Sequence, residues 1–394
     1  MEARTDRLPV EIWQDILLLA IESDGCSPFA TTCTPSTFLH FLKRERNPDN
    51  AYINYSRCRA TLRQVCRAWD QFLLSTNSWW IHVRSHVRSP NHPQKTLDLP
   101  SITDQVPTVK RVSMSITAHG RVVPGLNWAS DLLQRVRVPL LSYSLILSIP
   151  SHRHCHHNPC DFLAGVRPNL ALRNLQIACL GMNTCGTISF SQISANFKDL
   201  VSLSLFNLVM RSRGKLALPC LELLYISNPR YAPLPTQGWN LPRLRHVYIA
   251  VITSKTGFNV VLNFLRRYAS QLESLFLIEY PFSSGLPHDF WDSFTALQLL
   301  GVRYHVLDNR SWSGWDITPP RSHPFRYLAC RHCIDFEVTA SLLRSMWTYH
   351  EDVALVIENA NSGEYYLIED IKEDGWRTRV TKTDGILPIR RHDS

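Results

Sequence analysis

A short apolar pattern recurs along most of the chain and constrains its fold more than any other feature. The pattern apolar-x-x-apolar-x-apolar starts at positions 172, 200, 221, 244, 272 and 297, so the successive spacings are 28, 21, 23, 28 and 25 residues. This range is the period of leucine-rich repeats, in which each unit supplies one strand and a helical or irregular return. Because one unit cannot bury its apolar side alone, the units must stack, and we expect an irregular α/β solenoid with a parallel sheet.

Weaker copies of the pattern extend the array in both directions. They lie at Val109/Val112/Met114, around Leu141 and at Phe325/Leu328/Cys330. The stretch NVVLNFLRRYASQLESL predicts a helical return between two strong copies. The tail EYYLIEDIKEDGWRTRVTKTDG alternates around an Asp-Gly turn, which predicts a hairpin or two short strands that cap the array.

Residues 1–87 differ from the repeats and predict helices. LPVEIWQDILLLA, residues 8–20, has a proline suited to a first helical turn and an apolar arc too wide for one partner face. A second amphipathic helix is predicted in TLRQVCRAWDQFLL, where five residues share a face: Leu62, Val65, Cys66, Trp69 and Leu73. A polar insert at about 24–59 separates the two signals, and residues 88–105 form a linker by composition, which leaves 106–394 for the repeat domain and its cap.

Composition narrows the class of partner. The net charge is +9, but no block of five or more Lys or Arg occurs, so nucleic acid is not favoured. The chain has no apolar run of about 18 residues and no secretory signal pattern, so we expect an intracellular protein, in the cytoplasm or nucleus, without membrane association. The 11 Cys are scattered among apolar stretches, which predicts reduced and mostly buried thiols.

The two N-terminal signals together resemble a known module. LPVEIWQDIL followed by LRQVCRAWDQFLLSTNSWW resembles the F-box, which docks onto the Skp-type adaptor of SCF cullin–RING ubiquitin ligases. The order of F-box and repeats is similar to that of the substrate receptors abundant in mushroom-forming fungi. The resemblance implies that the adaptor binds this chain and connects it to a cullin. The residues implied to contact the adaptor are Leu8, Pro9, Ile12, Trp13, Ile16, Val65, Cys66 and Trp69. The insert of about 24–59 is a departure from the compact module, although loop closure cost grows only slowly with length.

Two other functions remain open at this point. An amphipathic helix is more often core than partner site, so the N-terminal helices could cap a repeat scaffold that has no ubiquitin role. Burial of Leu8, Pro9 and Trp13 within this chain would favour that alternative. An enzyme would need clustered titratable side chains in one cleft, and the sequence contains no phosphate loop, serine elbow or His-Glu-x-x-His string. We therefore expect no catalytic residue and no cofactor.

One column of the predicted sheet is rich in aromatic residues. The residue between the last two apolar positions of each copy points outward, which gives Gln176, Ser204, Tyr225, Tyr248, Phe276 and Gly301. Strands lie about 4.8 Å apart, so the three rings should form a ladder. We predict a target-binding face from the ladder and its outward neighbours: Tyr225, Tyr248, Phe276, Phe206, His246 and Arg303. The alternative is that the tail or an insertion covers this face.

A cluster of His and Cys is a candidate metal site. SHRHCHHNPC contains His152, His154, Cys155, His156, His157 and Cys160. Structural zinc needs four ligands, usually from two spaced pairs, and only half of such a pattern is present. The CRHC stretch at 330–333 is a weak second half. The sequence favours a polar loop between repeats, with no bound metal.

Overall fold

The structure is a computed structural model of the whole chain, and it describes part of it. The described residues are 9–23, 34–35, 38, 42, 48–75, 80–87, 111–118, 141–148, 172–180, 188–208, 215–227, 238–250, 255–278, 286–287, 289–303, 319–331, 354–358, 365–368 and 380–383. The linker predicted at 88–105 and the His/Cys stretch at 152–160 lie outside these ranges.

The described elements are helices at the N-terminus and strands with short helical returns after it. The helices are α1 (Val10–Ser23), α2 (Pro48–Arg63), α3 (Arg67–Ser75), α4 (Phe190–Asn196), α5 (Lys255–Arg266) and α6 (Phe290–Ser293). The first strands are β1 (Trp80–Val87), β2 (Arg111–Ala118), β3 (Ser142–Ser148), β4 (Asn174–Leu180) and β5 (Ser202–Phe206). The remaining strands are β6 (Leu223–Ser227), β7 (His246–Ala250), β8 (Ser274–Ile278), β9 (Leu299–Arg303), β10 (Tyr327–Arg331), β11 (Ala354–Glu358), β12 (Tyr365–Ile368) and β13 (Val380–Thr383).

All the described strands belong to one sheet in chain order, from β1 to β13. Neighbours pair in parallel from β1 to β11, and the repeat spacing predicts this arrangement for β2 to β10. Strands β11, β12 and β13 pair antiparallel, which confirms the strands predicted in the tail. The chain is therefore a parallel-sheet repeat solenoid with an antiparallel end.

The apolar residues of the repeat pattern form the interior of the solenoid. Leu175, Leu203 and Leu224 are buried at equivalent positions of consecutive strands and belong to one continuous core. The returns complete this core from the other side: the Phe190 and Phe264 rings, from α4 and α5, lie 4.9 and 5.4 Å from the ring of Trp239. The predicted return helix is confirmed as α5. Each repeat buries its leucines against its neighbours, as stacking requires.

The sheet begins earlier in the chain than the sequence predicts. Strand β1 lies within residues 1–87, which we assigned to the helical module, and all eight of its residues pair with β2. The segment TNSWWIHV therefore ends in a strand and not in a helical module. Trp80 is buried. Deletion of residues 1–87 would remove the first strand of the sheet together with the N-terminal helices.

The second predicted helix is interrupted, so the prediction of one continuous helix in residues 61–74 is wrong. Helix α2 ends at Arg63 and α3 begins at Arg67. At the junction the Gln64 and Val65 N–H groups donate to the carbonyls of Thr61 and Leu62, three residues back, at 3.1 and 3.2 Å. Such bonds tighten the last turn of a helix, and Val and Cys are weak helix formers. Helix α2 also begins at Pro48, so the later part of the polar insert is helical.

Two expectations from composition are addressed by the described residues. Among them, no helix is both long and apolar enough to span a bilayer. Of the cysteines described as free thiols, Cys179 is buried, Cys58 and Cys220 are partly exposed, and Cys66 is exposed. Burial of Cys66 is therefore not observed, because it lies in the junction between α2 and α3.

Candidate functional site

Helix α1 presents apolar side chains on two sides, which accounts for its wide apolar arc. Leu17 is 2% exposed and packs inward. Ile12 and Ile16, four residues apart and so on one face, are 44% and 42% exposed, and Val10 is 63% exposed. Pro9 is also exposed, whereas Leu8 lies outside the described residues. The outward side of α1 is therefore an apolar surface that the described part of the chain does not cover.

The rings of Trp13 and Trp69 join α1 to α3. Their centroids lie 6.0 Å apart, and both side chains are half-buried. Val65 and Cys66 are exposed in the junction that precedes α3. An ion pair between Arg63 Nε and Asp70 Oδ1, at 2.6 Å, spans the same junction. We call the apolar set of α1, the junction and α3 the helical surface: Val10, Ile12, Trp13, Ile16, Val65, Cys66 and Trp69.

Helices α2 and α3 are anchored on the first strands of the sheet by an aromatic cluster. Tyr55, Leu73 and Trp80 are buried together. The Tyr52 ring stacks on His82 of β1 at 4.7 Å. The helical surface is therefore held at the N-terminal end of the solenoid.

The anchor continues into strand β2. The Trp80 indole N–H donates to the Ser113 hydroxyl at 2.8 Å, and the Arg111 guanidinium lies 3.7 Å above the Trp80 ring centroid. A cation over an indole face is attracted by the ring, more strongly where water is excluded. Arg111 and Ser113 are both buried, so this contact is sheltered from solvent.

One column of the outer face of the sheet, opposite the solenoid interior, is polar on β2 to β5. It carries Ser113 on β2, Ser144 on β3 and Gln176 on β4, all buried. The Ser144 hydroxyl donates to the Gln176 side-chain carbonyl. Ser204 on β5 continues this column. The next residue of this column, on the following strand, is Tyr225, the first aromatic residue in it.

The predicted aromatic ladder is present on β6, β7 and β8. Tyr225, Tyr248 and Phe276 pair in register across these strands. The two tyrosine rings stack with centroids 4.2 Å apart, and Tyr248 and Phe276 are 5.9 Å apart. We keep the name ladder for these three residues.

The ladder is buried, contrary to the expectation of an open face. Tyr225, Tyr248 and Phe276 are 3%, 4% and 0% exposed. They belong to a cluster, separate from the solenoid interior, that contains Phe38 and Leu42 of the polar insert. The alternative of a face covered by an insertion is therefore what the structure shows. Whether these residues bind a target stays a prediction.

The insert residue Phe38 contacts the rings of the sheet directly. The Phe38 ring meets Phe276 edge-on at 5.6 Å and lies 5.4 Å from the His246 ring. Phe38 and Leu42 are fully buried. The rest of the cluster comes from the outer face of the ladder strands and of strands beside them: Leu223, Ala250, Leu299 and Ala329, with Phe206 and Tyr327 partly buried at its edge.

Polar groups lie beside the ladder. His246 is fully buried, and its Nδ1 lies 3.0 Å from the Ser274 hydroxyl oxygen. Its Nε2 is 3.9 Å from Glu273 Oε2. Burial raises the pKa of Glu273 above its usual range, although the paired Arg245 guanidinium opposes this shift. Arg303 ends β9, and its side chain lies outside the described part.

Gly301 gives the Phe276 ring its space. It occupies the next position of the outward column, paired with Phe276 across β8 and β9. A Cβ atom at Gly301 would overlap the Cδ1 and Cε1 atoms of Phe276. The ladder therefore ends at Phe276 because that ring lies over the backbone of the next strand.

Sequence reasoning did not identify Phe38 and Leu42 as partners of the ladder. The sequence feature that could have identified them is the apolar string FLHFL within an otherwise polar insert. The predicted His/Cys cluster at 152–160 lies outside the described residues. Within the described residues, no group of three or more potential metal ligands occurs.

No protein-family model matches this chain, and no curated protein matches it.

Proposed function

We propose that this chain is the substrate-receptor subunit of an SCF-type cullin–RING ubiquitin ligase. In this role the helical surface binds a Skp-type adaptor, and the repeat domain binds a protein target. The resemblance to the F-box is the starting point, and the placement of the exposed apolar side chains supports it.

The observation that carries the proposal is where large apolar side chains are exposed. In the part of the chain that the structure describes, six such side chains are exposed, and all lie on α1, α2, α3 or the junction: Val10, Ile12, Ile16, Ile53, Val65 and Leu74. Apolar patches on soluble proteins commonly mark interaction sites. Four of the six lie within the helical surface. A scaffold cap would instead bury Pro9 and Trp13, which are exposed and half-exposed.

The proposed mechanism is proximity. A receptor that holds the adaptor at one end and the target along its sheet raises the effective concentration of the target near the ubiquitin-charged enzyme. The anchoring of α2 and α3 on Trp80 and His82 fits this role, because it fixes the helical surface relative to the sheet. The chain itself then needs no catalytic group.

Co-expression with a Skp-type adaptor, followed by size-exclusion chromatography, tests the proposal. We expect the wild-type chain to co-elute with the adaptor and the Ile12→Gln/Ile16→Gln variant to elute alone. Gln is a good helix former, so α1 should persist. Ile53→Gln is the matched control, since Ile53 is equally exposed at 42% but lies on α2 outside the helical surface. A folded wild-type chain that never co-elutes contradicts the proposal and favours the scaffold alternative.

The Cys66 thiol offers a second test on the same complex. Cys66 is exposed and Cys179 is buried. We expect bound adaptor to slow alkylation of Cys66, measured by peptide mass spectrometry, while the half-exposed Cys220 of the repeat domain reacts at an unchanged rate. Equal reactivity of Cys66 in the free chain and in an isolated adaptor complex would place the adaptor elsewhere.

A further inference from the structure

The insert between α1 and α2 contributes a helical turn to the outer face of the sheet. The backbone is helical at Pro35, Phe38 and Leu42, and the Phe38 N–H donates to the Thr34 carbonyl at 2.9 Å. Phe38 and Leu42 belong to the same cluster as the ladder, and their spacing of four residues is that of neighbours on one face of a helix. Both are fully buried. We call residues 34–42 the covering segment.

The surface that receives the covering segment has the features of a helix-binding groove. Its centre is the ladder, and aliphatic residues of the same and adjacent strands, among them Leu223 and Leu299, flank the rings. Grooves of this kind take an amphipathic helix through apolar anchors spaced three or four residues apart. Phe38, edge-on to Phe276, and Leu42 occupy the groove as two such anchors.

The groove is separate from the core that holds the solenoid together. The solenoid interior contains Leu203, Leu224 and Leu275, whereas the ladder, Phe38 and Leu42 form a second cluster that shares none of its members. Loss of the covering segment would therefore leave the repeat interior packed. It would also expose three aromatic rings, so the groove requires an occupant.

We propose that the ladder is a binding groove for a partner helix, and that the covering segment occupies it as an internal competitor. The partner that fits is a protein presenting a short amphipathic helix with an aromatic side chain and a leucine four residues later. That this partner is the target to be ubiquitinated rests on the proposed function, but binding to the groove does not. A tethered segment competes at an effective concentration on the order of millimolar, so it weakens binding of a free helix.

The test measures binding of a fluorescent peptide, residues 34–47, to full-length chains by anisotropy. We expect the Phe38→Ala/Leu42→Ala chain to bind it at least about tenfold more tightly than wild type, because the internal competitor is weakened. A peptide carrying the same two substitutions is the control and should not bind. Adding Tyr248→Ala to the double variant should abolish binding of the original peptide.

A second peptide tests the class of partner. It retains only the Phe and the Leu, placed four residues apart on an unrelated Glu/Lys/Ala helix. We expect it to bind the double variant within about tenfold of the first peptide, since the anchors supply most of the affinity. If only the peptide of the chain's own sequence binds, the proposed partner class is wrong.

Two results overturn the proposal of an exchangeable groove. One is a folded double variant, verified by circular dichroism, that binds neither peptide. If the double variant does not fold, the wild-type chain is photocrosslinked to the first peptide carrying benzophenone at the Phe38 position. Crosslinks on β6 to β8 support the groove, and crosslinks only elsewhere overturn it.

Adaptor co-elution of the same chains separates this proposal from the proposed function. Peptide binding without adaptor binding would mean that the protein binds helices but is not an SCF receptor. Adaptor binding without peptide binding would mean that the protein is a receptor whose ladder stabilises the fold and does not bind a partner helix.

Discussion

The helical surface and the ladder are both clusters of apolar side chains, but their surroundings are opposite. Ile12 and Val65 are 44% and 57% exposed on the helical surface, whereas Phe276 is inaccessible in the ladder. The ladder is covered because Phe38 and Leu42 of the insert between α1 and α2 pack against it. The comparison shows that apolar character alone does not determine whether a face is exposed; that depends on whether another segment of the chain packs on it.

This contrast has an energetic meaning. Full burial of a large apolar side chain contributes on the order of 1.5–3 kcal/mol to folding, whereas an exposed side chain contributes little. Substitutions in the ladder should therefore lower the free energy of unfolding, and substitutions on the helical surface should affect partner binding instead.

The largest effect is expected for Phe276→Ala. The ring is fully buried and contacts both Tyr248 and Phe38. Truncating a buried Phe costs about 3–5 kcal/mol. Chemical denaturation of wild type and variant measures the loss. A loss below about 1 kcal/mol would mean that the ladder is not packed core and does not differ from the helical surface in its contribution to stability.

A smaller loss is expected for Gly301→Ala. The added methyl group would overlap the Phe276 ring, and overpacking of this kind costs about 1–3 kcal/mol. Combining it with Phe276→Leu should cost less than the sum of the two single substitutions, because the smaller side chain relieves the overlap. Additive losses in the denaturation midpoints would show that the two residues do not interact.

On the helical surface, Ile16→Gln should change the free energy of unfolding by no more than about 0.5 kcal/mol. Ile16 is 42% exposed, and Gln retains helix propensity. The same denaturation experiment measures it beside Leu17→Gln, whose position on α1 is buried and should be sensitive. Equal losses of unfolding free energy for the two variants would mean that α1 is buried on both sides.

The smallest effect concerns the pH dependence of stability near the ladder. The pKa of Glu273 is raised in the folded chain, chiefly by burial. The native state therefore binds the proton more tightly than the unfolded state does. Because of this group, the free energy of unfolding falls as the pH rises from the unfolded-state pKa of about 4.3 through the folded-state pKa. Glu273→Gln should remove that contribution, which thermal melts across this pH range would detect. An unchanged pH profile would show that Glu273 is effectively solvated.

Sequence predicted the sheet well because its information is local and periodic. Side chains alternate along a strand, so the positions of Leu203 and Leu205 fix Ser204 on the opposite face. The same rule placed Tyr225 and Tyr248 in one row, and their rings do stack.

The features that sequence did not predict depend on long-range contacts. Phe38 and Phe276 are far apart in the chain, and no periodicity links them. The break between α2 and α3 was also missed, since Leu62 and Leu73 fit one helical face on spacing alone. Likewise, Trp80 carries no repeat signal, and its strand is recognised only by pairing with Arg111 on β2.

We propose that the helical surface, and not the ladder, binds a Skp-type adaptor. The most direct test is isothermal titration of purified adaptor into wild type, Ile12→Gln/Ile16→Gln and Tyr248→Ala, each verified as folded. We expect the wild-type and Tyr248→Ala chains to bind with similar affinity, whereas the affinity of the α1 variant should fall at least about tenfold, or about 1.4 kcal/mol. Equal binding by the α1 variant, or no binding by the wild-type chain, would contradict this proposal.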